Sequence, residues 1–519
     1  MKIVTSSEIK RIERLAYGEG VTSDKLIENA GFAVAELIAK EHGQIQDAHV
    51  VALIGSGNNG ADGLVACSYL AQWGAKVVAL ICRPRPAHDL FSDRSRAAGV
   101  DLIDISCNQV MEPLRNHCKK SDILIDAILG TGLSRPIGGF LRDLMQWVSD
   151  VASNRHDMKV YAVDLSSGIN SDNGKMDQAT IKSDMTIALG YPKIAHYTQP
   201  SSSAVGRLRV VDIGIPLGLD REVKVRSIDG KWAHDNLPDR PNNSHKGTFG
   251  RTMIVGGSIN FVGAPVLAAA AAARVGSGLV TISGPRFIND AVSCRLAEAT
   301  LLPFAEDQYG VLEAWKSARR IIENIEGYKS MLIGCGLGMK HEANMFLHHL
   351  LQTKMELPPI VVDADGINLL AEFPYWWDRT TNDMVLTPHV KEMSKLTNET
   401  ISDISTSRLQ LARSYAEKWS KIVVLKGANT IVANPDGVTW VSPFSNPVLS
   451  TAGTGDILSG MIAGLIAQGM DPGSAAALAV YLQGAAAESW SVSGGSSGML
   501  ASDLLTELPK TMNRLRDDN

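Results

Sequence analysis

The stretch Ser450-Thr451-Ala452-Gly453-Thr454-Gly455-Asp456 sets glycines on both sides of Thr454 and follows them with an acid. It opens a small-residue segment of helical period that runs to Gln468, which predicts a loop leading into a helix. Backbone N–H groups at a helix start stabilise the charge of a transferring phosphoryl group, and an Asp among them can take the proton of an attacking hydroxyl. The stretch therefore predicts phosphoryl transfer with Asp456 as a catalytic residue. The alternative is a glycine-rich turn that Asp456 only caps.

Polar or glycine-rich loops also follow the strand-like runs upstream of this stretch. The loops are Gly334–Gly338 after Met331–Ile333, Asp363–Gly366 after Ile360–Val362, Thr387–His389 after Met384–Leu386, and Lys426–Thr430 after Ile422–Leu425. Because ligands gather outside the carboxyl ends of parallel strands, we expect these loops to meet in one crevice. The sequence has no GxxxxGK[ST] pattern, so the phosphate site is not that of a P-loop NTPase.

The bulk composition indicates a multidomain globular enzyme. The chain has 519 residues, and at roughly 100–200 residues per domain it should form two to four domains. A net charge of −5 argues against a nucleic-acid or anionic-membrane surface. The six cysteines show no CxxC pair or metal-type spacing, no signal peptide is evident, and the run Ala264–Ala273 is too short for a membrane span. We therefore expect free thiols, a buried helix at that run and a cytoplasmic location.

Two halves alternate short apolar strands with helical stretches, which predicts an α/β fold with parallel sheets. In the first half, strands are predicted at His49–Ile54, Lys76–Cys82, Ile123–Ile128, Val160–Leu165, Met185–Ala188 and Leu208–Asp212. Polar, Pro-rich sequence separates the halves. We predict domains at 1–222 and 236–519 with a linker at 223–235.

The loop Gly55-Ser56-Gly57-Asn58-Asn59-Gly60 fits GxGxxG between a strand and a predicted helix from Ala61 to Trp73, a context in which backbone can approach a pyrophosphate. The dinucleotide fingerprint also needs an acid after the next strand, where this chain has Arg83, so a dehydrogenase is disfavoured. The oxygens of Asn58, Asn59 and Asp62 could instead ligate a hard cation. The alternative is that Asp62 caps the helix.

Two acids end neighbouring strands of the first half and are candidate site residues. Asp126 precedes Gly130–Pro136, and Asp164 precedes Ser166-Ser167-Gly168. Lys193 lies just past a further strand and could join them.

Together, Gly57–Gly63, Asp126 with Gly130–Pro136, and Asp164–Gly168 resemble the NAD(P)H-hydrate epimerase domain. The resemblance covers most of residues 1–220 and implies a Rossmann-like fold, a bound potassium ion and a hydrated nicotinamide nucleotide as substrate. Matched positions imply potassium ligands at Asn59, Asp126 and Ser167. They imply substrate contacts at Asn58, Asn59, Gly60, Ala61, Asp62, Gly130, Thr131, Gly132, Leu133, Ser134, Arg135, Pro136 and Asp164. We assign Asp164 as general acid/base, because epimerisation of a hemiaminal moves a proton. The sequence departs from the family at Ile194-Ala195-His196, which leaves the role of Lys193 open.

The second half resembles the ribokinase-like superfamily and, within it, the ADP/ATP-dependent NAD(P)H-hydrate dehydratases, over about residues 240–510. The segments that carry the resemblance are Asn260–Pro265, Leu386–His389, Lys426–Thr430 and Ala452–Asp456. By position, Ala264, Gly336, Gly338 and His389 would contact the hydrated nucleotide. Lys426, Gly427, Ala428, Asn429, Thr430, Gly455 and Asp456 would hold the adenine nucleotide and the reacting phosphate. For His389 the alternative is a hydrogen-bonded residue that orients its turn.

The resemblances imply a bifunctional enzyme that epimerises hydrated NADH and NADPH and dehydrates the S form. The dehydration would use ADP, expected over ATP by family analogy, with Mg²⁺, phosphorylating the hydroxyl and then eliminating phosphate. The alternatives are a small-alcohol or vitamin kinase with a regulatory N-terminal domain, and a chain whose N-terminal half only binds nucleotides or partners. We expect a homo-oligomer without nucleic-acid or membrane partners. The preference between NADH and NADPH hydrates stays open.

Overall fold

The computed structural model describes residues 1–106, 110–132, 136–378, 380 and 383–517. It divides into two compact units, Met1–Val225 and Arg226–Asn519. Each unit is a parallel or mostly parallel sheet with helices, so the predicted α/β class is confirmed. Among the described helices, none combines the length and the apolar character needed to cross a membrane. The described cysteines are free thiols, and all but Cys294 are buried.

The first unit is built on a sheet in which every neighbouring pair of described strands is parallel, in the order β3-β2-β1-β4-β5-β6-β7. The strands are β1 (His49–Ile54), β2 (Lys76–Ile81), β3 (Asp101–Asp104), β4 (Ile123–Ala127), β5 (Lys159–Val163), β6 (Met185–Leu189) and β7 (Arg207–Val211). The helices are α1 (Ser6–Gly18), α2 (Ser23–His42), α3 (Asn58–Gln72), α4 (Leu90–Ala97), α5 (Glu112–Cys118) and α6 (Gly139–Asn154). Separate apolar cores cover the two faces of the sheet. That is why the central strands are apolar throughout and do not alternate.

The second unit contains a longer sheet, in the order β11-β10-β9-β12-β13-β14-β15-β16-β17-β8. Its strands are β8 (Val225–Ser227), β9 (Arg251–Val255), β10 (Leu279–Ser283), β11 (Thr300–Leu301), β12 (Ser330–Ile333), β13 (Ile360–Val362), β14 (Met384–Leu386), β15 (Ile422–Leu425), β16 (Ile431–Ala433) and β17 (Thr439–Val441). Its helices are α7 (Gly230–Asp235), α8 (Gly263–Arg274), α9 (Ile288–Arg295), α10 (Ala314–Glu323), α11 (His341–Leu351), α12 (Asp365–Leu370), α13 (Val390–Thr397), α14 (Ile401–Thr406), α15 (Arg408–Trp419), α16 (Thr454–Ala467), α17 (Pro472–Gly494) and α18 (Ala501–Asp517). Strands β11 to β15 pair in parallel, whereas β15, β16 and β17 pair antiparallel.

The order of strands reverses between β1 and β4 in the first sheet and between β9 and β12 in the second. Such a switch point opens a crevice, because the two flanking connections leave in opposite directions. The glycine loops after β1 and β12 lie at these two places, whereas the predicted loops after β13, β14 and β15 follow strands farther along the second sheet.

Helices α8 and α16 pack at very close range beneath the second switch point. A Cβ atom on Gly460 would stand 2.1 Å from the Ala268 carbonyl oxygen, and one on Gly464 would stand 2.7 Å from that of Ala272. Only glycine allows this approach of two backbones. The prediction of a buried helix at Ala264–Ala273 is confirmed, and its small residues are explained by this contact.

Two predicted boundaries differ from the structure. Helix α3 begins at Asn58, three residues before the predicted Ala61, because Gly57 is its N-cap and the polar residues form its first turn. The segment 223–235, predicted as a linker, contains β8 and α7, and the division between the units falls inside it. Buried Val225, Ile228 and Ala233 explain why this polar segment is ordered.

Candidate active sites

The first candidate site begins at the glycine loop between β1 and α3. A Cβ on Gly55 would stand 1.9 Å from the Ile128 carbonyl oxygen, and one on Gly60 would stand 2.2 Å from that of Gly55. These glycines therefore allow the loop after β1 to touch the loop after β4. Asp62 is not a cap, since it lies inside α3 and is buried. The helix places it on the wall of the pocket instead.

A pocket of about 370 Å³ opens at this switch point and gathers most of the predicted substrate residues. It is lined by Asn58, Asn59, Asp62, Gly130, Thr131, Gly132 and Asp164, together with Glu13 and Lys193. Gly60, Ala61 and Pro136 are not part of its lining. The predicted contacts at Leu133, Ser134 and Arg135 lie outside the described residues.

Asp164 is held at the pocket wall by a fixed set of partners. Its backbone takes a positive φ of 64°, which is strained for a residue with a Cβ. Carboxylate Oδ1 forms an ion pair with Lys193 and accepts the Leu189 N–H at 3.0 Å. No hydrogen bond to Oδ2 is formed by the described residues, so this oxygen is available to a ligand. Lys193 is buried and also donates to the Tyr191 carbonyl at 2.9 Å.

His196, the last residue of the stretch Ile194-Ala195-His196, bridges the backbones of Lys193 and Asp164. Its Nδ1 accepts the Lys193 N–H at 3.0 Å, and its Nε2 lies 2.9 Å from the Asp164 carbonyl oxygen. Nε2 must therefore carry the proton and donate it. Burial, together with the charge of Lys193, lowers the pKa of His196 to about 4. The imidazole is therefore neutral at pH 7, and its two hydrogen bonds hold the backbones of Lys193 and Asp164 in place.

Burial perturbs two further acids of this pocket, Asp62 and Glu13. Burial raises the pKa of Asp62 well above its ordinary value, and the negative charges of Asp164 and Glu13 raise it further. Burial also raises the pKa of Glu13, against the opposing charge of Lys193. Both shifts favour the protonated forms of Asp62 and Glu13, and a protonated carboxyl group can donate a hydrogen bond.

The residues predicted to bind potassium lie beneath the pocket and beside it. Asp126 is fully buried and accepts from the Ser167 N–H at 2.7 Å and from the Ser167 Oγ at 2.5 Å. Ser167 Oγ in turn accepts the Leu129 N–H at 2.9 Å. Asn59 comes close to Gly130, where a Cβ would stand 3.3 Å from the Asn59 amide. Burial raises the pKa of Asp126 to about 6, although its hydrogen bonds oppose the shift.

The second candidate site is built on the start of α16. Gly453 is the N-cap of this helix and has a φ of +91°, a left-handed conformation that favours glycine. Asp456 is the third helical residue rather than the cap, so the alternative of a capped turn is wrong. Gln483 of α17, which is buried, donates to the Thr454 carbonyl at 2.7 Å and secures the turn.

Three acid or thiol groups meet at Asp456. The Sγ of Cys335 and carboxylate oxygens of Asp363 and Asp456 lie within 4.8 Å of one another. Burial, reinforced by the charge of Asp363, raises the pKa of Asp456 to about 6, against a hydrogen bond from Cys335. Burial raises the pKa of the Cys335 thiol, so the thiol keeps its proton and donates it. Asp456 thus titrates close to neutral pH, as a general base should.

Lys426 reaches the same cluster from the end of β15. Its Nζ donates to Asp363 Oδ1 at 2.7 Å and lies 3.8 Å from Glu392 Oε2. Burial acts to lower the pKa of Lys426, but the charges of Asp363 and Glu392 outweigh it and raise the pKa. Thr387 also donates to Asp363 Oδ1, at 2.7 Å.

His389 caps helix α13 and remains accessible. Its Nδ1 accepts the Glu392 N–H at 3.1 Å, and Glu392 accepts the His389 N–H at 2.8 Å. The predicted alternative, that His389 orients its turn, is confirmed by this capping box. Its Nε2 lies 3.5 Å from Glu392 Oε1, and its side chain is 51% exposed, so a ligand can reach the ring. Burial raises the pKa of Glu392 to about 7.

A second pocket of about 370 Å³ lies beside α16 and contains most of the predicted nucleotide residues. It is lined by Lys426, Gly427, Ala428, Thr430 and Gly455, and by residues that follow β17 or lie on α17, such as Ser442, Phe444, Asn446, Gln483 and Gly484. Asn429 does not line it; its side chain is buried and donates to the Ser442 carbonyl at 3.0 Å. Asp456 does not line it either. Asn429 therefore shapes the loop.

Of the predicted contacts to the hydrated nucleotide, Ala264 lies in the first turn of α8, Gly336 and Gly338 lie in the loop after β12, and His389 follows β14. A Cβ on Gly336 would stand 3.2 Å from the Ala264 Cβ, so these two residues adjoin. Gly338 donates its N–H to Asp365 at 2.8 Å. The Gly257 N–H donates to the Cys335 carbonyl at 2.9 Å, which joins the two loops.

Sequence reasoning misses several side chains at these sites. Glu13 stands on α1 and Gln483 on α17, far along the chain from any glycine loop. Glu392 had a detectable signal, because a potential N-cap followed three residues later by Glu is the pattern of a capping box. Glu13 and Gln483 carry no such signal.

Comparison with known proteins gives matches to both halves of the chain. The family model described as NAD(P)H-hydrate dehydratase matches residues 252–510, and the model described as YjeF-related protein N-terminus matches residues 23–195. The bifunctional NAD(P)H-hydrate repair enzyme Nnr of Moorella thermoacetica is 35% identical, covering 100% of this chain and 98% of the relative. The protein of the same name from Thermofilum pendens is 32% identical, covering 100% and 97%.

A solved structure is also similar to the second half. It is the ADP/ATP-dependent NAD(P)H-hydrate dehydratase from Bacillus subtilis, co-crystallised with ATP and Mg²⁺. The identity is 31%, the match covers 56% of this chain and 99% of that chain, and the TM-score is 0.49. The full-length relatives decide the assignment, because they match both units together. This chain belongs to the family of bifunctional NAD(P)H-hydrate repair enzymes.

Proposed function

We propose that this chain repairs hydrated NADH and NADPH with two separate active sites. The first unit interconverts the R and S hydrates, and the second dehydrates the S form at the expense of ADP. The observation that carries the proposal is that each unit has an acid–base residue at a pocket: Asp164 lines the pocket at the switch point of the first sheet, and Asp456 follows Gly455, which lines the pocket at the end of β15. A dehydratase specific for one epimer would leave the other unrepaired, which explains why the two units share one chain.

In the first unit, Asp164 is the general acid/base. Lys193 and the Leu189 N–H occupy its Oδ1, which leaves Oδ2 to exchange a proton with the substrate. The hydrate is a hemiaminal, so its hydroxyl can leave reversibly or its ring can open, and either route needs such a proton transfer. Asp62, whose protonated form is favoured by burial, would donate a hydrogen bond to the substrate. Pairing a neutral acid with a carboxylate is a general way of dividing acid and base roles.

The start of α3 and the neighbouring loop would hold the rest of the substrate. Asn58, Asn59 and Gly130–Gly132 line the pocket around the N-terminus of this helix, where the helix dipole favours a phosphate group. The other proposed contacts on these loops are Gly60, Ala61, Leu133, Ser134, Arg135 and Pro136.

A potassium ion fits the oxygen-rich group at Asn59, Asp126 and Ser167. The buried Nδ2 of Asn59 has no hydrogen-bond partner in the described part of the chain, and a half-turn of the amide would present its oxygen there. Asp126 is a buried carboxylate that forms no ion pair with the described residues, and hard cations prefer oxygen ligands of this kind. A bound cation would neutralise Asp126 and add positive charge next to the substrate's phosphates.

In the second unit, Asp456 is the base for phosphoryl transfer. It takes the proton of the substrate hydroxyl while the hydroxyl oxygen attacks the terminal phosphorus of ADP and AMP leaves. The C–O bond then breaks with phosphate as the leaving group, and a proton is lost from the adjacent carbon to restore the double bond. Ala264, Gly336, Gly338 and His389 are the proposed contacts to the hydrate. Phosphorylation turns a poor leaving group into a good one, so the net reaction is a dehydration.

The pocket beside α16 is the proposed nucleotide site. Lys426, Gly427, Ala428, Thr430 and Gly455 line it, and Asn429 holds the loop in shape. Mg²⁺ would enter with the nucleotide, since this ion usually binds through substrate phosphates and keeps several waters. It would supply charge neutralisation for the phosphoryl group.

The decisive assay gives the full-length chain a mixture of R and S hydrates of NADH with ADP or with ATP. We expect absorbance at 340 nm to recover from both epimers, with AMP as product from ADP. Consumption of the S form alone would show that the first unit is not an epimerase. If neither epimer reacts and a small alcohol such as a vitamin precursor is phosphorylated, the second unit is a kinase and the proposal fails.

A further inference from the structure

A buried arginine stands behind the nucleotide loop. Arg408 is the first residue of α15 and is only 8% exposed. Its Nη1 donates to the carbonyl of Ala428, and its Nη2 donates to those of Leu425 and Lys426 at 3.1 and 3.2 Å. One guanidinium therefore binds the carbonyls of three residues at the end of β15 and in the loop that lines the pocket.

The charge of Arg408 is not balanced by any acid in the described part of the chain. It forms no ion pair there, and its Nε has no hydrogen-bond partner. Burial alone lowers the pKa of Arg408 to about 10, so the group stays cationic at pH 7. An unpaired buried charge is costly to keep. A compensating negative charge is therefore expected from outside the protein.

The pocket is the nearest place from which such a charge can come. A Cβ on Gly427 would stand 2.8 Å from Arg408 Nη2, and Gly427 itself lines the pocket. The backbone at Gly427 therefore lies between the guanidinium of Arg408 and the pocket. Lys426 is the one charged residue among the described residues that line the pocket, and it is already paired with Asp363.

We propose that Arg408 is a positioning residue for the nucleotide: it fixes the Leu425–Ala428 backbone and supplies the buried positive charge that the nucleotide's phosphates neutralise. The inference rests on the proposed function, because it takes the pocket to be a nucleotide site. It goes beyond that function by placing a determinant of phosphate affinity on a residue that does not touch the ligand. Because a Coulomb attraction grows with ligand charge, its effect should rise from adenosine through AMP and ADP to ATP.

The test measures the affinity of the full-length chain for adenosine, AMP, ADP and ATP by calorimetry. Arg408→Met removes the charge at similar volume, and Arg408→Lys keeps the charge but loses the forked hydrogen bonds. Lys421→Met is the matched control, because Lys421 is also a buried cation that donates to a carbonyl, at 3.0 Å from Thr380, but at the opposite end of β15. Circular dichroism and melting curves check that each variant is folded.

We expect Arg408→Met to leave adenosine affinity within about twofold and to weaken ADP by roughly tenfold or more, with ATP affected most. Arg408→Lys should keep the ratio of ADP to adenosine affinity within about threefold of the wild type, and Lys421→Met should not change it. The proposal is overturned if adenosine and ADP lose affinity by the same factor, which is the sign of a purely structural role. It is also overturned if ADP affinity is unchanged or if Lys421→Met acts like Arg408→Met.

Two further outcomes complete the design. If Arg408→Met does not fold, Arg408→Lys decides: a ratio of ADP to adenosine affinity that changes by more than about threefold, although the charge is kept, refutes the electrostatic role. If the wild type binds no adenine nucleotide, the proposed function fails together with this inference. Charge-independent binding in Arg408→Met refutes only the inference.

Discussion

The pH dependence of dehydration tests the role of Asp456 most directly. Burial and the Asp363 carboxylate raise its pKa from an ordinary 3.8 to about 6. The shift corresponds to about 3 kcal/mol between the two protonation states, at 1.36 kcal/mol for each pH unit. If Asp456 must be ionised to accept the hydroxyl proton, roughly a tenth of the enzyme is active at pH 5 and most of it at pH 7. An Asp with an ordinary pKa would instead keep the rate nearly flat over this range.

The assay follows recovery of 340 nm absorbance from the S hydrate, as kcat/KM between pH 4.5 and 8, with a blank lacking enzyme at each pH. The terminal phosphate of ADP also titrates near pH 6, so a matched variant is needed. The hydrogen bond from Cys335 lowers the pKa of Asp456. Cys335→Ala should therefore move the acid limb upward by about one pH unit, the worth of a hydrogen bond to a charged group. Titration of ADP is the same in both proteins and cannot cause that difference.

Three results would refute the reasoning. One is a rate that stays flat from pH 5 to pH 7, and a second is an acid limb at the same pH in wild type and Cys335→Ala. The third is an Asp456→Asn variant that keeps its dehydration rate, since loss of a general base should cost about 10²–10⁴-fold. Epimerisation by Asp456→Asn should remain normal and serves as the control for folding.

The remaining predictions concern the first unit. Asp164→Asn should lower epimerisation by about 10²–10⁴-fold while dehydration of the S hydrate continues; equal loss of both activities in a folded variant would contradict separate sites. Potassium should raise the melting temperature of the wild type more than lithium at equal ionic strength, and Asp126→Asn should abolish the difference; an equal response of both proteins in calorimetry would exclude Asp126 as a ligand. His196 has a folded pKa of about 4 against 6.5 unfolded, so the unfolded chain takes up its proton first and stability falls as pH drops from 6.5 towards 4, by up to about 3 kcal/mol. His196→Gln should show a smaller loss of unfolding free energy over that range in urea titrations, and an unchanged pH dependence would contradict a buried neutral imidazole.

Much of the fold was predictable because apolar runs and glycine loops are local signals. The strands predicted in both halves match the observed strands to within one or two residues at each end, for example β4 at Ile123–Ala127 and β13 at Ile360–Val362. A central parallel strand is buried on both faces, so its whole sequence must be apolar. Helix starts were harder to predict. Helix α3 begins at Asn58, and the polar residues there are also typical of a turn.

The glycine loops and the acids that end strands could likewise be found from the sequence. Asp164 and Asp456 follow from the rule that ligands bind at the carboxyl ends of parallel strands. The substrates of the two sites were predicted only from resemblance to a family. Local chemistry indicates phosphoryl transfer, but it does not indicate which molecule accepts the phosphoryl group.

Only the tertiary structure decided which side chains contact Asp164, Asp456 and the loop at Gly427. The sequence by itself determined which loops carry Asp164 and Asp456, because that information lies in short apolar and glycine-rich runs. It did not determine that Lys193 pairs with Asp164, that Cys335 donates to Asp456, or that Arg408 lies behind Gly427. Those contacts join residues up to 121 positions apart (335 to 456), so they form only when the strands and helices that carry these residues have packed together. Burial then shifts the pKa values of Asp456, Cys335 and Arg408, because desolvation acts on a side chain only once other elements have closed around it.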